Sequence, residues 1–445
     1  MLELFSSGLL ALWLQAAGGG MPTAALTSLQ EMPWAVSPAS PDPTAQQVVQ
    51  QYLQTLGRTG LAAQAQGVWL QSGTEFIAAN QGTTPLPAAS LTKVATSLAA
   101  LQTWGADHQF ETLISTTGPI QNGVLQGDLV VQGGGDPLLV WEEAIALGND
   151  LNRAGITRVT GNLVITGNFL MNFETRPQQA GELLRQAFNA RAWSGEIEQQ
   201  YRTLPAGTPR PQVAIAGRVQ TVTYGTDLLP NQILLVRHRS LPLTRILKLM
   251  NVYSNNVIAE SLANSLGGAA AVVKQSALAS AVPTSEIRLI NGSGLGVENQ
   301  ISPRAVCAMF AALQRYLQLR GLTIADIFPI AGIDPGSIEG RRMPAAAVVK
   351  TGTLNDVSAL AGVVPTADRQ LIWFAIINRG SDLDGLRRQQ DVLLQTLVQR
   401  WGKVPAVPLA IAPSSSYQAA ISDLGDTDRN QILQSAVEFN TYQGN

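Results

Sequence analysis

Apolar positions in residues 45–56 recur at helical spacing (Val48, Val49, Tyr52, Leu53, Leu56), and Gly57 follows as a stop signal, so a helix is predicted there. Short alternating runs at 67–70 and 74–78 read as paired strands, with Gln71-Ser72-Gly73 at the turn. Pro87-Ala88-Ala89-Ser90 then opens an apolar stretch from 91 to 104 that ends at Gly105; it reads as a buried helix with Ser90 at its N-terminus. From 106 to 232 the texture changes to brief β-branched runs separated by Gly, Asn and Pro, which reads as an inserted module. Patterns of the first kind resume from 233: a long helix is predicted over 251–265, strands over 358–364 and 370–378, and a helix over 383–401. One domain, 45–105 plus 233–403, is thus expected to be split by an insertion at 106–232, in an α+β (mixed) fold.

The ends have a different character. Pro33, Pro38, Pro41 and Pro43 mark a linker, because repeated proline blocks both helix and sheet hydrogen bonding. Ahead of it, residues 9–14 are apolar and 16–20 are small, the pattern of a secretory signal, although the first basic residue is only Arg58. Residues 1–44 are therefore read as a signal-like segment plus linker, and the protein as exported. Residues 404–445, rich in Pro, Ser, Gln, Asp and Asn, read as a mostly disordered tail with a loose helix over 421–437.

Composition removes several function classes. With 29 Lys+Arg against 31 Asp+Glu the formal charge is -2, so no basic face for nucleic acid is implied. Only 13% of residues are charged while 45% are hydrophobic, which favours a compact fold with a large core. Cys307 is the single cysteine, which excludes an internal disulfide and a thiolate metal cluster; its apolar run makes it a buried small hydrophobe. His108 and His238 are the two histidines, too few for an ordinary metallohydrolase, and neither shows a partner in the sequence. No metal or cofactor is expected. No other segment has about 20 uninterrupted apolar residues, which excludes a polytopic membrane protein.

The candidate chemistry lies with two of the five lysines, Lys93 and Lys350. Ser90-Leu91-Thr92-Lys93 sets a hydroxyl and an amine three residues apart at a helix start, on one face. A serine needs a neighbour to take its proton, and a lysine does so only when desolvation or a nearby cation lowers its proton affinity. Taken alone the motif also describes an N-cap serine and a surface lysine. Ser254-Asn255-Asn256, at the start of another helical run, offers a hydroxyl for proton relay and an amide for a peptide carbonyl, or simply a polar helix start. Lys350-Thr351-Gly352-Thr353 follows the strand-like run 345–349. It lines a strand edge with a cation, two hydroxyls and a residue that permits close backbone approach, or else marks a strand end with a turn glycine.

In this order the three elements resemble the signature of the penicillin-recognising acyl-serine enzymes. The segments 129–139 (LVVQGGGDPLL), 291–303 (NGSGLGVENQISP), 329–333 (PIAGI) and 350–363 (KTGTLNDVSALAGV) are similar to the class C low-molecular-mass penicillin-binding proteins, the D-alanyl-D-alanine carboxypeptidase/endopeptidase family, over about residues 45–402. The resemblance implies a transpeptidase/β-lactamase-like domain, a five-stranded antiparallel sheet with helices, interrupted between the first two motifs. The interval from Ser90 to Ser254 is shorter than is usual in the family, so a trimmed insertion is expected.

It also implies roles. Ser90 would be the acylated nucleophile and Lys93 its general base, with proton affinity lowered by the charge of Lys350. Ser254 would pass a proton to the departing D-alanine and Asn256 would orient the substrate amide. Lys350, Thr351 and Thr353 would bind the leaving carboxylate beside Gly352, and the backbone N–H groups of Ser90 and Thr353 would form the oxyanion hole. Asp136, in the Gly133-Gly134-Gly135-Asp136-Pro137 turn, would either bind the amino end of the stem-peptide side chain or cap its own turn. The glycines of 291–296 read as backbone geometry rather than chemistry.

The implied partners are peptidoglycan stem peptides and β-lactam antibiotics as covalent inhibitors, in the cell envelope or periplasm, with peripheral membrane association left open. The alternatives are a serine β-lactamase, for which no water-activating acid is identifiable, and a catalytically silent penicillin-binding scaffold.

Overall fold

The computed structural model describes residues 41–222, 232–414 and 423–433. The N-terminal signal-like segment therefore lies outside the described residues. Among those described, no helix is long and apolar enough to cross a membrane.

An antiparallel sheet of five strands forms the frame, ordered Val348–Leu354, Val357–Thr366, Gln370–Arg379, Gln66–Ser72 and Glu75–Asn80. Its central strands read as almost continuous apolar runs because both faces are covered. Side chains alternate between two cores: Trp373, Ala375 and Ile377 pack into one and Ile372, Phe374 and Ile376 into the other. The second face carries the helices Pro43–Gly57 and Leu383–Arg400, with Val48, Val49, Leu394 and Leu397 in contact with the sheet residues. The first face carries Thr92–Trp104 and Pro303–Gln318, so the body is three layers, helix on sheet on helix. Cys307 is fully buried in that first core, as its apolar surroundings predict.

The segment between the first two motifs builds its own core around Ile114, Leu129, Val131, Ile165, Phe188 and Leu235. Its six-stranded sheet runs Val219–Thr221, Leu163–Asn168, Leu129–Gly134, Glu111–Thr116, Ile233–Arg239 and Asn430–Ile432. Two boundaries differ from the sequence reading. Ile233–Arg239, expected to open the returning domain, pairs instead with Glu111–Thr116 inside the insertion. Residues 430–432, expected to be disordered or loosely helical, add a further antiparallel strand to the same sheet. The tail holds this place through side chains: Asn430 bonds His238 and Asp150, and Arg429 bonds Glu143, satisfying buried polar groups that the insertion presents.

The helix predicted over 251–265 is two helices, Leu243–Val252 and Asn256–Ser265, broken at Ser254, whose φ is 53°. Asn255 accepts from the Ile258 N–H and acts as N-cap, a competition that short polar side chains win against continuing the helix.

Candidate active site

Ser90 lies in a single 3-10 turn, Ala89–Leu91, that runs into the helix Thr92–Trp104. Lys93 is one turn along and fully buried, since every residue of that helix from Thr92 to Leu101 is covered. Its Nζ donates to Asn256 Oδ1 (2.7 Å) and to the Ser293 carbonyl (2.8 Å), and lies 3.1 Å from Ser90 Oγ. The break at Ser254 turns that hydroxyl and Asn256 into the same space: Lys350 Nζ donates to Ser254 Oγ at 2.9 Å.

The third motif sits within the edge strand Val348–Leu354 rather than after a strand, and beyond Val349 the described residues add no further strand on its outer side. Strand alternation sends Lys350 and Gly352 to the face of the nucleophile turn, as it does Val348. A Cβ on Gly352 would lie 2.8 Å from the Ala88 carbonyl and 3.1 Å from the Ser90 nitrogen, so glycine is what lets the strand lie against the nucleophile. Thr351 and Thr353 alternate to the other side, where Thr351 meets Ser337 Oγ at 3.0 Å and Arg387 Nη2 donates to Thr353 Oγ1 at 3.2 Å.

Burial in this cleft lowers the proton affinity of Lys93 to about 7, against a smaller opposing effect of the Glu260 carboxylate. Lys350 is driven well below the ordinary lysine value, first by burial and then by the charge of Lys93. The sequence reading assigned the depression of Lys93 to Lys350; desolvation is its main cause, and the charge repulsion registers on Lys350. The pairing has a chemical consequence. Asn256 Oδ1 and the Ser293 carbonyl can only accept, so a neutral Lys93 spends both its N–H bonds on them and turns its lone pair to the Ser90 hydroxyl.

Two contributors escaped the sequence reading. Glu260 lies four residues after Asn256 on the same helix face, and its two oxygens accept from the Gly292 and Ser293 N–H groups (3.1 and 2.9 Å). Ser293 supplies the carbonyl under Lys93. The glycines around it serve backbone geometry, as predicted: Gly294 has φ 86°, and a Cβ there would stand 1.9 Å from the Ala89 carbonyl. The spacing from Asn256 to Glu260 was the available signal, but nothing in the sequence tied it to residues 292–293.

Asp136 is not presented to this cleft. It is 3% exposed, accepts from the Leu138 N–H in the turn-capping manner, and faces His238 Nε2 at 3.7 Å within the insertion. His238 thus has partners the sequence did not show, while His108 stacks on Trp104. A further lysine, Lys248, is buried on Asp334 and the Ala325 and Phe328 carbonyls, anchoring the 325–334 segment. Among the described residues, no three His, Cys, Asp or Glu side chains gather into a group able to hold a metal ion.

The profile of the D-Ala-D-Ala carboxypeptidase 3 (S13) family matches residues 45–201 and 213–399. The chain is similar to the D-alanyl-D-alanine carboxypeptidase DacB of Haemophilus influenzae, 26% identical over 394 residues that cover 67% of this chain and 82% of that protein. It is similar also to a D-alanyl-D-alanine carboxypeptidase of an Actinomadura strain, 25% identical over 437 residues, 74% of this chain and 80% of that one. Among solved structures, a penicillin G-acylated predatory endopeptidase of Bdellovibrio bacteriovorus, in complex with an immunity protein, superposes with a TM-score of 0.66 at 25% identity, covering 78% of this chain and 94% of that one. Penicillin-binding protein 4 of H. influenzae shares the fold, with a TM-score of 0.59 at 23% identity over 79% of this chain and 99% of that one.

Proposed function

Since the chain belongs to the D-Ala-D-Ala carboxypeptidase 3 (S13) family, and is therefore a serine-type DD-peptidase of peptidoglycan, we propose how its own residues carry out the reaction. The observation that carries the reading is the contact of Lys93 Nζ with Ser90 Oγ, in a setting that leaves a neutral lysine only that hydroxyl as proton donor.

Lys93 takes the Ser90 proton as Oγ attacks the carbonyl carbon of the penultimate D-alanine of a stem peptide. The oxyanion is held by the Ser90 and Thr353 backbone N–H groups, fixed donors that need no reorganisation as charge develops. Asn256 orients the substrate amide. The proton that Lys93 took passes through Ser254, which also accepts from Lys350, to the departing amine as the C–N bond breaks, so Lys93 is neutral again, and Lys350, Thr351 and Thr353 hold the leaving group's carboxylate. Water then attacks the acyl-serine and returns the free enzyme. A β-lactam acylates Ser90 by the same attack and stays, because its ring-opened leaving group remains attached.

Rapid hydrolysis of that adduct, as in a β-lactamase, needs a general base placed to activate water, and a free carboxylate is one such group. The carboxylate that acts on Lys93, Glu260, has both oxygens occupied by main-chain N–H groups, which favours the peptidase. The complete set of contacts likewise speaks against a silent scaffold. The substrate places the enzyme's work at the cell envelope; the periplasm, reached by export, is the compartment we propose.

The test is mass spectrometry of the protein after treatment with benzylpenicillin. We expect one adduct, on Ser90, and none on the Ser90→Ala variant; an adduct that persists on the alanine variant overturns the assignment.

A further inference from the structure

Thr353, one of the hydroxyls assigned to the leaving carboxylate, touches a wall of a second depression, and Thr351 bonds the residue that leads into its other wall. Ser337, the partner of Thr351, opens the loop that continues through Glu339 to Arg342, and Arg387, the partner of Thr353, lies in the first turns of the helix Leu383–Arg400. Between loop and helix is a depression of about 550 Å³ whose lining includes Arg341, Arg342, Arg387 and Arg388. The alternation of the edge strand directs the two threonine side chains toward the loop and the helix.

The charges in the depression do not cancel. Arg341 is held to Asp391 by three hydrogen bonds from Nε and Nη2 of its guanidinium, and Arg387 pairs with Asp384. Arg342 and Arg388 are exposed, and neither guanidinium has an ion-pair partner among the described residues; against them stands only the exposed Glu339. Two guanidinium forks are thus open to a carboxylate, the geometry arginine matches with paired hydrogen bonds. Arg387 also donates to Thr353 Oγ1, so the threonine's own hydrogen is turned outward, toward a bound carboxylate.

D-alanine as leaving group has one carboxylate, and Lys350, Thr351 and Thr353 already use it. It leaves the adjoining guanidiniums with nothing to bind. A leaving group that is itself an acidic peptide, as at a cross-link between two stem peptides, has further carboxylates to reach them. We propose that the depression between the 339–342 loop and the helix Leu383–Arg400 is a leaving-group subsite that binds a second carboxylate, through Arg342 and Arg388. This inference rests on the catalytic reading above, because it takes the leaving group to lie at Thr351 and Thr353.

The experiment uses three synthetic donors with one N-acyl-D-alanyl half and three leaving groups: D-alanine, D-glutamate and D-glutamine. The last two are isosteric, and they differ in one negative charge. The full chain is expected to release D-glutamate about tenfold faster than D-glutamine in kcat/KM at low ionic strength, with the preference shrinking as salt is added. In the Arg342→Gln/Arg388→Gln double variant, and to a lesser degree in Arg388→Gln alone, the ratio is expected to fall toward one. The ratio is taken within each protein, so partial misfolding does not move it. Equal rates for the two donors in the native chain, or a preference that survives in the double variant, would overturn the subsite. Failure of all three donors together with absence of a penicillin adduct on Ser90 would instead remove the catalytic reading, and the subsite with it.

Discussion

Lys93 Nζ stands 3.1 Å from Ser90 Oγ while its other two partners, Asn256 Oδ1 and the Ser293 carbonyl, lie at 2.7 and 2.8 Å and can only accept. The amine is therefore inactive as a base when protonated and aimed at one hydroxyl when neutral, which makes the reaction sensitive to a single proton.

The rate of β-lactam acylation should follow that proton. With Lys93 brought down to about 7 by burial, the second-order acylation rate should rise with pH, about tenfold per unit below the midpoint, and level off above it. The same shift acts on stability. Between about 7 and the ordinary lysine value of 10.5 the folded chain binds fewer protons than the unfolded one, so this group's contribution makes stability rise with pH across that window. A flat acylation profile from pH 5 to 9, read by stopped-flow with a fluorescent penicillin, would contradict the base assignment.

Glu260→Gln should move the profile as well as lower it. The carboxylate favours protonated Lys93, so its loss should shift the midpoint toward acid. Glutamine also has one acceptor oxygen for two N–H groups, which should loosen residues 292–293 and reduce the plateau. A plateau that falls with an unmoved midpoint would show that Glu260 only braces the loop.

Gly294→Ala tests how tightly the 291–296 loop fixes the nucleophile. The added Cβ would meet the Ala89 carbonyl at a backbone angle, φ 86°, that alanine adopts with strain. We expect about 2–4 kcal/mol of destabilisation and an acylation rate down by at least tenfold, read from urea unfolding and penicillin uptake. Native-like stability and uptake in this variant would mean that the loop yields without disturbing Ser90.

Much of the body was legible because its signals are local. Continuous apolar runs along 358–364 and 370–378, covered on both faces, and helical spacing in 45–56, covered on one, reflect which faces a neighbouring layer must cover. The reading failed where a distant partner decided the outcome. Residues 430–432 carry no strand pattern of their own; they become a strand because the insertion offers an open edge and buried acids for Asn430 and Arg429 to satisfy. The predicted helix over 251–265 failed for a local reason instead, the preference of Asn255 for capping.

For the site the division is similar. The hydroxyls, lysines and glycines of the three motifs could be read directly, but each motif alone also fits a plain helix start or strand end, and the reaction type came from the resemblance of their order to a known family. Which group tunes Lys93, the engagement of Glu260 with residues 292–293, the withdrawal of Asp136 toward His238 and the arginine-lined depression beside Thr353 came only with the fold. Proton affinity depends on desolvation and on charges brought close by packing, and neither quantity exists until remote segments meet.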